Sequence, residues 1–208
     1  MSDDLAARRA RVMERLGPQS MAILWSAPSR NYSRDVDFEY RQDSNLYYLT
    51  GLVQEETILV LMPGNISRRE ILFVTPRDPT REHWNGRVLG QDEASAQTGI
   101  GTVFTTAQFD GFMDAMLDRR GFDAIDAREA ARFFEAGQSG GAELSMLLPR
   151  EGADDPLSPP ARLAKRAREK LPDVKTVDVT PILTDLRMVK TAYEQTVLVN
   201  SLAISGDA

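Results

Sequence analysis

Two apolar runs that lie close together in the chain decide the fold: Thr57-Ile58-Leu59-Val60-Leu61-Met62 and Ile71-Leu72-Phe73-Val74. Pro63-Gly64 follows the first run and Pro76 follows the second. Both runs therefore have the length of strands rather than of helices. Neither run alternates apolar with polar residues, which is typical of strands that are covered on both faces. A sheet of this kind needs helices on each side.

Amphipathic segments that can provide this cover occur on both sides of the two runs. The opening segment carries Leu5, Val12, Met13 and Leu16 on one stripe at helical spacing and stops at Gly17-Pro18. The patterns also predict helices at 92–97, 107–119, 160–171, 180–189 and 191–204, and strands at 21–25, 102–105, 122–125 and 175–179. This alternation predicts an α/β domain with a mixed, mostly buried β-sheet and helices on both faces.

Two stretches are predicted to lie outside the buried sheet. Residues 27–40 are polar and turn-rich, and acidic residues alternate with apolar ones within them, which indicates an exposed or edge strand. Residues 137–160 are rich in Gly, Ser, Pro and acidic residues. This composition predicts a long surface loop.

The helix at 191–204 begins with a capping box, in which Thr191 is followed three residues later by Glu194. Its apolar residues, which include Tyr193, Val197 and Leu198, need a surface to pack on. The sequence ends only four residues after this helix, so we expect the chain to be part of a longer protein.

Composition argues against several classes of function. The 208 residues include 25 Lys+Arg and 31 Asp+Glu, and the net charge of −6 disfavours a nucleic-acid or anionic-membrane surface. The absence of cysteine excludes disulfides, zinc knuckles and thiol nucleophiles, and it fits a reducing compartment. We find neither a signal peptide nor a membrane-spanning segment, so we expect a cytoplasmic protein.

The residues alone predict no catalytic centre and no metal site. His83 is the only histidine, which excludes a His-x-x-x-His zinc site. The acidic residues at 35–39 have the spacing that starts a calcium loop, but Tyr40 and Leu46 replace the required Gly and Glu. Residues 137–141 match the Gly-x-Ser-x-Gly nucleophile pattern, but a helical pattern precedes them and the histidine lies upstream of the serine.

Three segments carry a family resemblance: Tyr40-Arg41-Gln42-Asp43-Ser44-Asn45-Leu46-Tyr47-Tyr48-Leu49-Thr50-Gly51, Arg77-Asp78-Pro79-Thr80-Arg81-Glu82-His83-Trp84-Asn85-Gly86-Arg87-Val88-Leu89-Gly90, and Leu186-Arg187-Met188-Val189-Lys190-Thr191 with Glu194. In order and separation they resemble the N-terminal domain of bacterial aminopeptidase P (Xaa-Pro aminopeptidase). The resemblance implies a creatinase/prolidase-like N-terminal domain over residues 1–180. It also implies linker helices over 181–208 that lead to a C-terminal catalytic domain outside this chain.

The same resemblance implies the activity of the parent protein. Members of the family release the N-terminal residue from peptides with a penultimate proline, by means of two divalent metal ions, usually manganese. The ions are held by residues of the catalytic domain, so no catalytic or metal-binding residue is expected here. The implied partners are the protein's own catalytic domain, further copies in a dimer or tetramer, and the peptide substrate. Neither nucleic acid nor a membrane is expected as a partner.

The candidate residues for substrate access or an interface are Trp84, Arg81 and Arg87, which are crowded together with His83. Aromatic and arginine side chains are enriched at interface hot spots, although a tryptophan is more often simply packed in a core. The resemblance makes Trp84 a candidate wall of the substrate cleft, and His83 is expected to make local hydrogen bonds. Two alternatives stay open: the N-terminal domain of a prolidase, and a stand-alone assembly module without enzymatic activity.

Overall fold

The centre of the molecule is a mixed β-sheet. The structure, a computed structural model, describes residues 2–34, 36–78, 80, 82–83, 86–123, 125–148 and 156–206. Within them, six strands form a sheet in the order β6-β5-β4-β1-β7-β8. They are β1 (Ser20–Trp25), β4 (Ile58–Leu61), β5 (Glu70–Val74), β6 (Thr102–Thr105), β7 (Glu143–Met146) and β8 (Lys175–Asp178). A separate hairpin consists of β2 (Asn31–Ser33) and β3 (Val36–Asp37).

Eight α-helices surround this sheet in the described part of the chain. They are α1 (Ser2–Arg15), α2 (Ser44–Thr50), α3 (Gln91–Thr98), α4 (Phe109–Leu117), α5 (Ala131–Ser139), α6 (Pro159–Lys170), α7 (Thr180–Met188) and α8 (Ala192–Gly206). A 3-10 turn at Thr106–Gln108 leads into α4. None of these helices is long and apolar enough to cross a membrane.

The two apolar runs pair with each other as neighbouring strands. In β4, Val60 lies opposite Ile71 of β5 and, on its other side, opposite Ile23 of β1. Both of these pairings are antiparallel, whereas β5–β6, β1–β7 and β7–β8 are parallel. The runs therefore occupy the interior of the sheet, as their composition predicts.

Helices cover both faces of the sheet. One face, which includes Ile23, Val60 and Phe73, packs in a core with side chains of α4, α5 and α6. The other face packs with side chains of α1, α2, α3 and α7, and includes Leu59 and Leu72. Successive residues of a strand point to opposite faces. Because both faces are buried, every position of β4 has to be apolar, which confirms the predicted α/β fold class.

Two predicted elements are wrong. Residues 137–160 are not one surface loop, because α5 continues to Ser139 and β7 lies in the sheet between β1 and β8. Strand β7 has only four residues, so its apolar pattern is too short to be recognised next to the Gly-rich residues that precede it. The predicted strand at 122–125 is instead a single bridge between Phe122 and Ile125. Asp123 has a φ of 48°, so the backbone reverses there rather than extending.

Helix α1 buries a charged residue as well as its predicted apolar stripe. Arg9 has no exposed surface, and its guanidinium donates hydrogen bonds to the carbonyls of Leu49 (2.8 Å) and Thr98 (3.1 Å). Its Nε lies 3.0 Å from Oε2 of Glu70. Leu49 and Thr98 lie in the last turns of α2 and α3, where carbonyls lack intrahelical partners. One side chain thus joins α1 to α2, α3 and β5.

Replacement of Arg9 by Met should be strongly destabilising. Met retains much of the apolar stem, but it leaves Glu70 without its cation and two carbonyls without donors. We expect the free energy of unfolding, measured by urea denaturation, to fall by about 3 kcal/mol. Arg15→Met, in an exposed position at the end of the same helix, is the matched control and should cost about 0.5 kcal/mol or less. Equal losses for the two variants would contradict the role of Arg9.

Candidate functional site

The candidate segment 77–90 connects the end of β5 with the start of α3. Of the three residues predicted from the sequence, Arg87 is described by the structure, and Arg81 and Trp84 lie outside the described residues. The Arg87 side chain is 65% exposed and forms an ion pair with Glu93 in the first turn of α3. The structure therefore places Arg87 on the surface, where a second molecule or domain can reach it.

Two ion pairs shape this segment. Arg77 donates from Nε and Nη2 to the two carboxylate oxygens of Glu82, both at 2.8 Å, and these hydrogen bonds lower the pKa of Glu82. Glu93 accepts a 3.0 Å hydrogen bond from the backbone N–H of Gly90, and this bond, with Arg87 nearby, lowers the pKa of Glu93. Both carboxylates are therefore ionised at neutral pH. At Arg77–Glu82 and Arg87–Glu93 the segment presents paired charges.

A pair of buried glutamines holds the end of the segment against the sheet. The side-chain oxygen of Gln54 accepts from the N–H of Leu89 (2.7 Å), and its Nε2 donates to the Leu89 carbonyl (3.4 Å). The backbone carbonyl of Gln54 accepts from Nε2 of Gln42 (2.8 Å). The oxygen of the Gln42 side chain in turn accepts from the backbone N–H groups of Asp43 (2.8 Å) and Ala27 (3.1 Å).

The sequence alone does not reveal the role of these two glutamines. Gln42 lies in the segment 40–51, but nothing local identifies its partners. The available signal was the position of each glutamine close to apolar residues, which indicates that the side chain is buried. Buried amides are almost always hydrogen-bonded, so such a glutamine is expected to have partners. The pair links four chain segments that are distant in sequence, so its function becomes visible only in the folded chain.

Helix α2 accounts for much of the segment 40–51. Asp43 caps it by accepting hydrogen bonds from the N–H groups of Asn45 and Leu46, both at 2.9 Å, and Gly51 ends it with a φ of 66°. Gly51 thus allows the chain to turn at the end of α2. Leu46, Tyr48 and Leu49 are buried in the core, whereas Tyr47 is exposed.

The exposed Tyr47 faces an open groove between α2 and the two C-terminal helices. The groove has a volume of about 790 Å³, and its apolar lining includes Tyr47, Val53, Met188, Tyr193, Val197 and Leu198. Met188 is 71% exposed, and no residue of α8 is buried. Contiguous exposed apolar side chains mark sites of interaction. The groove and α8 together form a candidate docking surface.

In the described residues, neither a candidate metal site nor the nucleophile pattern of the sequence forms a reactive centre. They contain no cluster of three or more His, Asp or Glu side chains that could hold a metal ion. Ser139 of the nucleophile pattern is the last residue of α5, and its hydroxyl donates to the carbonyl of Glu135 at 3.1 Å. Gly140 follows with a φ of 73°, as in a helix C-cap. The pattern is a helix end and lacks the strand-to-helix turn of a nucleophile elbow.

Comparison with known proteins gives a consistent result. The family model described as the N-terminal domain of aminopeptidase P matches residues 5–124, which is more than half of the chain. Xaa-Pro aminopeptidase of Escherichia coli is 28% identical over 193 residues, which cover 92% of this chain and 40% of that protein. Xaa-Pro aminopeptidase of Haemophilus influenzae is 33% identical over 107 residues, covering 51% of this chain and 25% of the relative.

Solved structures agree with the sequence comparisons. Aminopeptidase PepP from Pseudomonas aeruginosa superposes with a TM-score of 0.69 at 27% identity. The match covers 94% of this chain and 40% of that one. This chain therefore spans less than half the length of the relatives that it matches.

The glutamine pair gives a testable prediction for the candidate segment. Gln54→Leu should leave the partly buried N–H of Leu89 without its acceptor, which costs about 1 kcal/mol of unfolding free energy. Deuterium exchange over residues 86–90 should speed up accordingly. Gln138→Leu, at an exposed position of α5, is the control and should leave exchange in this segment unchanged. Unaltered exchange in the Gln54 variant would show that the amide does not hold the segment.

Proposed function

Since this chain belongs to the aminopeptidase P N-terminal domain family, we propose that it is the non-catalytic N-terminal domain of an Xaa-Pro aminopeptidase. The parent protein would release the N-terminal residue from peptides with proline in the second position. One observation carries this proposal: the chain matches only 40% of its Escherichia coli relative. In addition, α8 leaves its apolar side chains uncovered. Both facts fit a domain whose catalytic partner lies elsewhere in the polypeptide.

We propose that the catalytic domain docks on the groove and on α8. The groove supplies an apolar floor from α2, and α8 supplies Val197, Leu198, Leu202 and Ile204, all of them exposed. Burial of such side chains contributes about 25 cal/mol for each Å² removed from water. A domain that covers this surface would thus gain much of its binding free energy from desolvation.

The metal chemistry is assigned to that second domain. The described residues include no carboxylate and histidine set that fits two divalent ions. We therefore assign no step of hydrolysis to this chain, and the two ions proposed for the parent enzyme, manganese by family resemblance, would be held outside it. The role proposed for this domain is to support a dimer or tetramer and to shape the access of peptide to the catalytic site.

The proposed setting is the cytoplasm. Proteins of oxidising compartments are often stabilised by disulfides, and this chain has no cysteine to form one. This composition supports a cytoplasmic location. The net charge of −6 disfavours nucleic acid as a partner.

An activity assay tests the division of labour. With Mn²⁺ present, the purified 208-residue chain should show no turnover of an Xaa-Pro tripeptide, and the product of the complete gene should cleave it. The complete protein should also prefer the tripeptide to an Xaa-Pro dipeptide, because a prolidase would show the reverse preference. Turnover by the isolated chain, or a complete gene product without peptidase activity, would contradict the proposal.

We further propose that Trp84, Arg81 and Arg87 line the substrate entrance or the contact between subunits. Exposure of the Arg87 side chain and the enrichment of Trp and Arg at hot spots support this role. In the complete enzyme, Trp84→Ala and Arg87→Ala should each lower kcat/KM, or weaken assembly, by about tenfold, which corresponds to about 1.4 kcal/mol.

Steady-state kinetics and analytical ultracentrifugation measure these two effects. Arg132→Ala is the control, since Arg132 is similarly exposed on α5, a helix on the opposite side of the sheet from α3. It should change neither kinetics nor mass. If the Trp84 and Arg87 variants behave like this control, the three residues do not form the entrance or the contact.

A further inference from the structure

A second buried arginine of α1 lies where α1, α2 and α8 meet. Arg8 is 7% exposed, and its Nη1 donates a 3.0 Å hydrogen bond to the carbonyl of Tyr48. The guanidinium also stacks on the Tyr48 ring, with its central carbon 4.6 Å from the ring centroid. Nη2 forms an ion pair with Asp4 one turn earlier in α1 and lies 3.9 Å from Oε1 of Glu194. Arg8 is thus held by the body of the domain and faces α8.

Glu194 connects this arginine to the start of α8. Its Oε2 accepts a 2.9 Å hydrogen bond from the N–H of Thr191, and its own N–H donates to Oγ1 of Thr191 at 3.2 Å. These are the two bonds of the predicted capping box. One carboxylate therefore caps α8 and at the same time places a negative charge beside Arg8. The first turn of α8 is tied to α1 through this contact.

Among the described residues, no side chain of α8 beyond the first turn is buried or hydrogen-bonded to another helix or strand, in contrast to α7. In α7, Leu183 is fully buried, the Leu186 carbonyl accepts from the hydroxyl of Tyr48 (3.4 Å), and Arg187 donates to Asn45 (2.6 Å). Every residue of α8 itself keeps some solvent exposure, and the connection at 189–190 is exposed. The direction of α8 therefore depends on its first turn.

We propose that Arg8 is a positioning residue that, through Glu194, fixes the direction of α8 relative to α1. Because the guanidinium is buried and stacked on an aromatic ring, its attraction for Glu194 is screened less than that of a surface ion pair. If the proposed function holds, the direction of α8 sets the orientation of the catalytic domain relative to this domain. This consequence rests on the proposed function.

Spin labelling of the chain tests this proposal directly. The sequence has no cysteine, so Glu14→Cys on α1 and Asn200→Cys on α8, both exposed positions, introduce the only two thiols. With a nitroxide label on each thiol, pulsed electron–electron double resonance should show one narrow distribution of the distance between positions 14 and 200. Arg8→Gln should at least double the width of that distribution, because α8 then loses its tie to α1.

Glu194→Gln separates the ionic tie from the helix cap. Glutamine retains the capping bond to Thr191 but carries no charge for Arg8. This variant should broaden the distribution as Arg8→Gln does, and the double variant should add nothing further. The control Arg15→Gln, at an exposed position of α1, should leave the distribution narrow. Glu194 lies outside the core, so its variant stays informative even if Arg8→Gln fails to fold.

Three results would overturn the proposal. They are a broad distribution in the labelled parent chain, a narrow one in both variants, or broadening in Arg8→Gln alone, which would mean that Arg8 does not act through Glu194. The distances are measured in this chain without any catalytic domain. Failure of the peptidase assay therefore leaves this test standing, and failure of this test leaves the proposed peptidase function standing.

Discussion

The buried guanidinium of Arg9 is the interaction on which the arrangement of one face of the sheet depends. A cation inside a protein needs close partners, because burial without them is very costly. Here the partners are the carbonyls of Leu49 and Thr98 and the carboxylate of Glu70, which come from three different elements. The requirement to satisfy one side chain thus sets α2, α3 and the start of β5 around α1. These contacts tie helix α1 to all three elements.

Buried polar side chains also hold the candidate segment and the start of α8. Gln54, supported by Gln42, holds the end of the candidate segment, and Arg8 meets the first turn of α8. In each case a buried polar side chain belongs to the rigid body and its partner belongs to an exposed part. The sheet, covered on both faces, gives these side chains a fixed base. This arrangement is consistent with the role proposed above for the domain.

Much of the fold could be predicted from particular residues. The run at 57–62 predicted a strand buried on both faces, and the stripe of α1 predicted its core-facing side. Strand β7 was missed because its four residues carry no periodicity that survives their Gly-rich neighbourhood. Of the candidate site, Arg87 was predicted and is exposed, whereas the glutamine pair that supports it was not. The residues next to a glutamine in the sequence do not indicate which distant residues it will bind.

The sequence by itself determined the features that depend on near neighbours in the chain. Helix caps such as Thr191 with Glu194 form between residues three positions apart, and continuous apolar runs report burial directly. Only the tertiary structure decided which polar residues become structural centres. Arg9 reaches its partners 40 and 89 positions away, and Gln54 reaches Leu89 across 35. Nothing in a local pattern specifies such distances, because it is the packing of the helices on the sheet that brings these groups together.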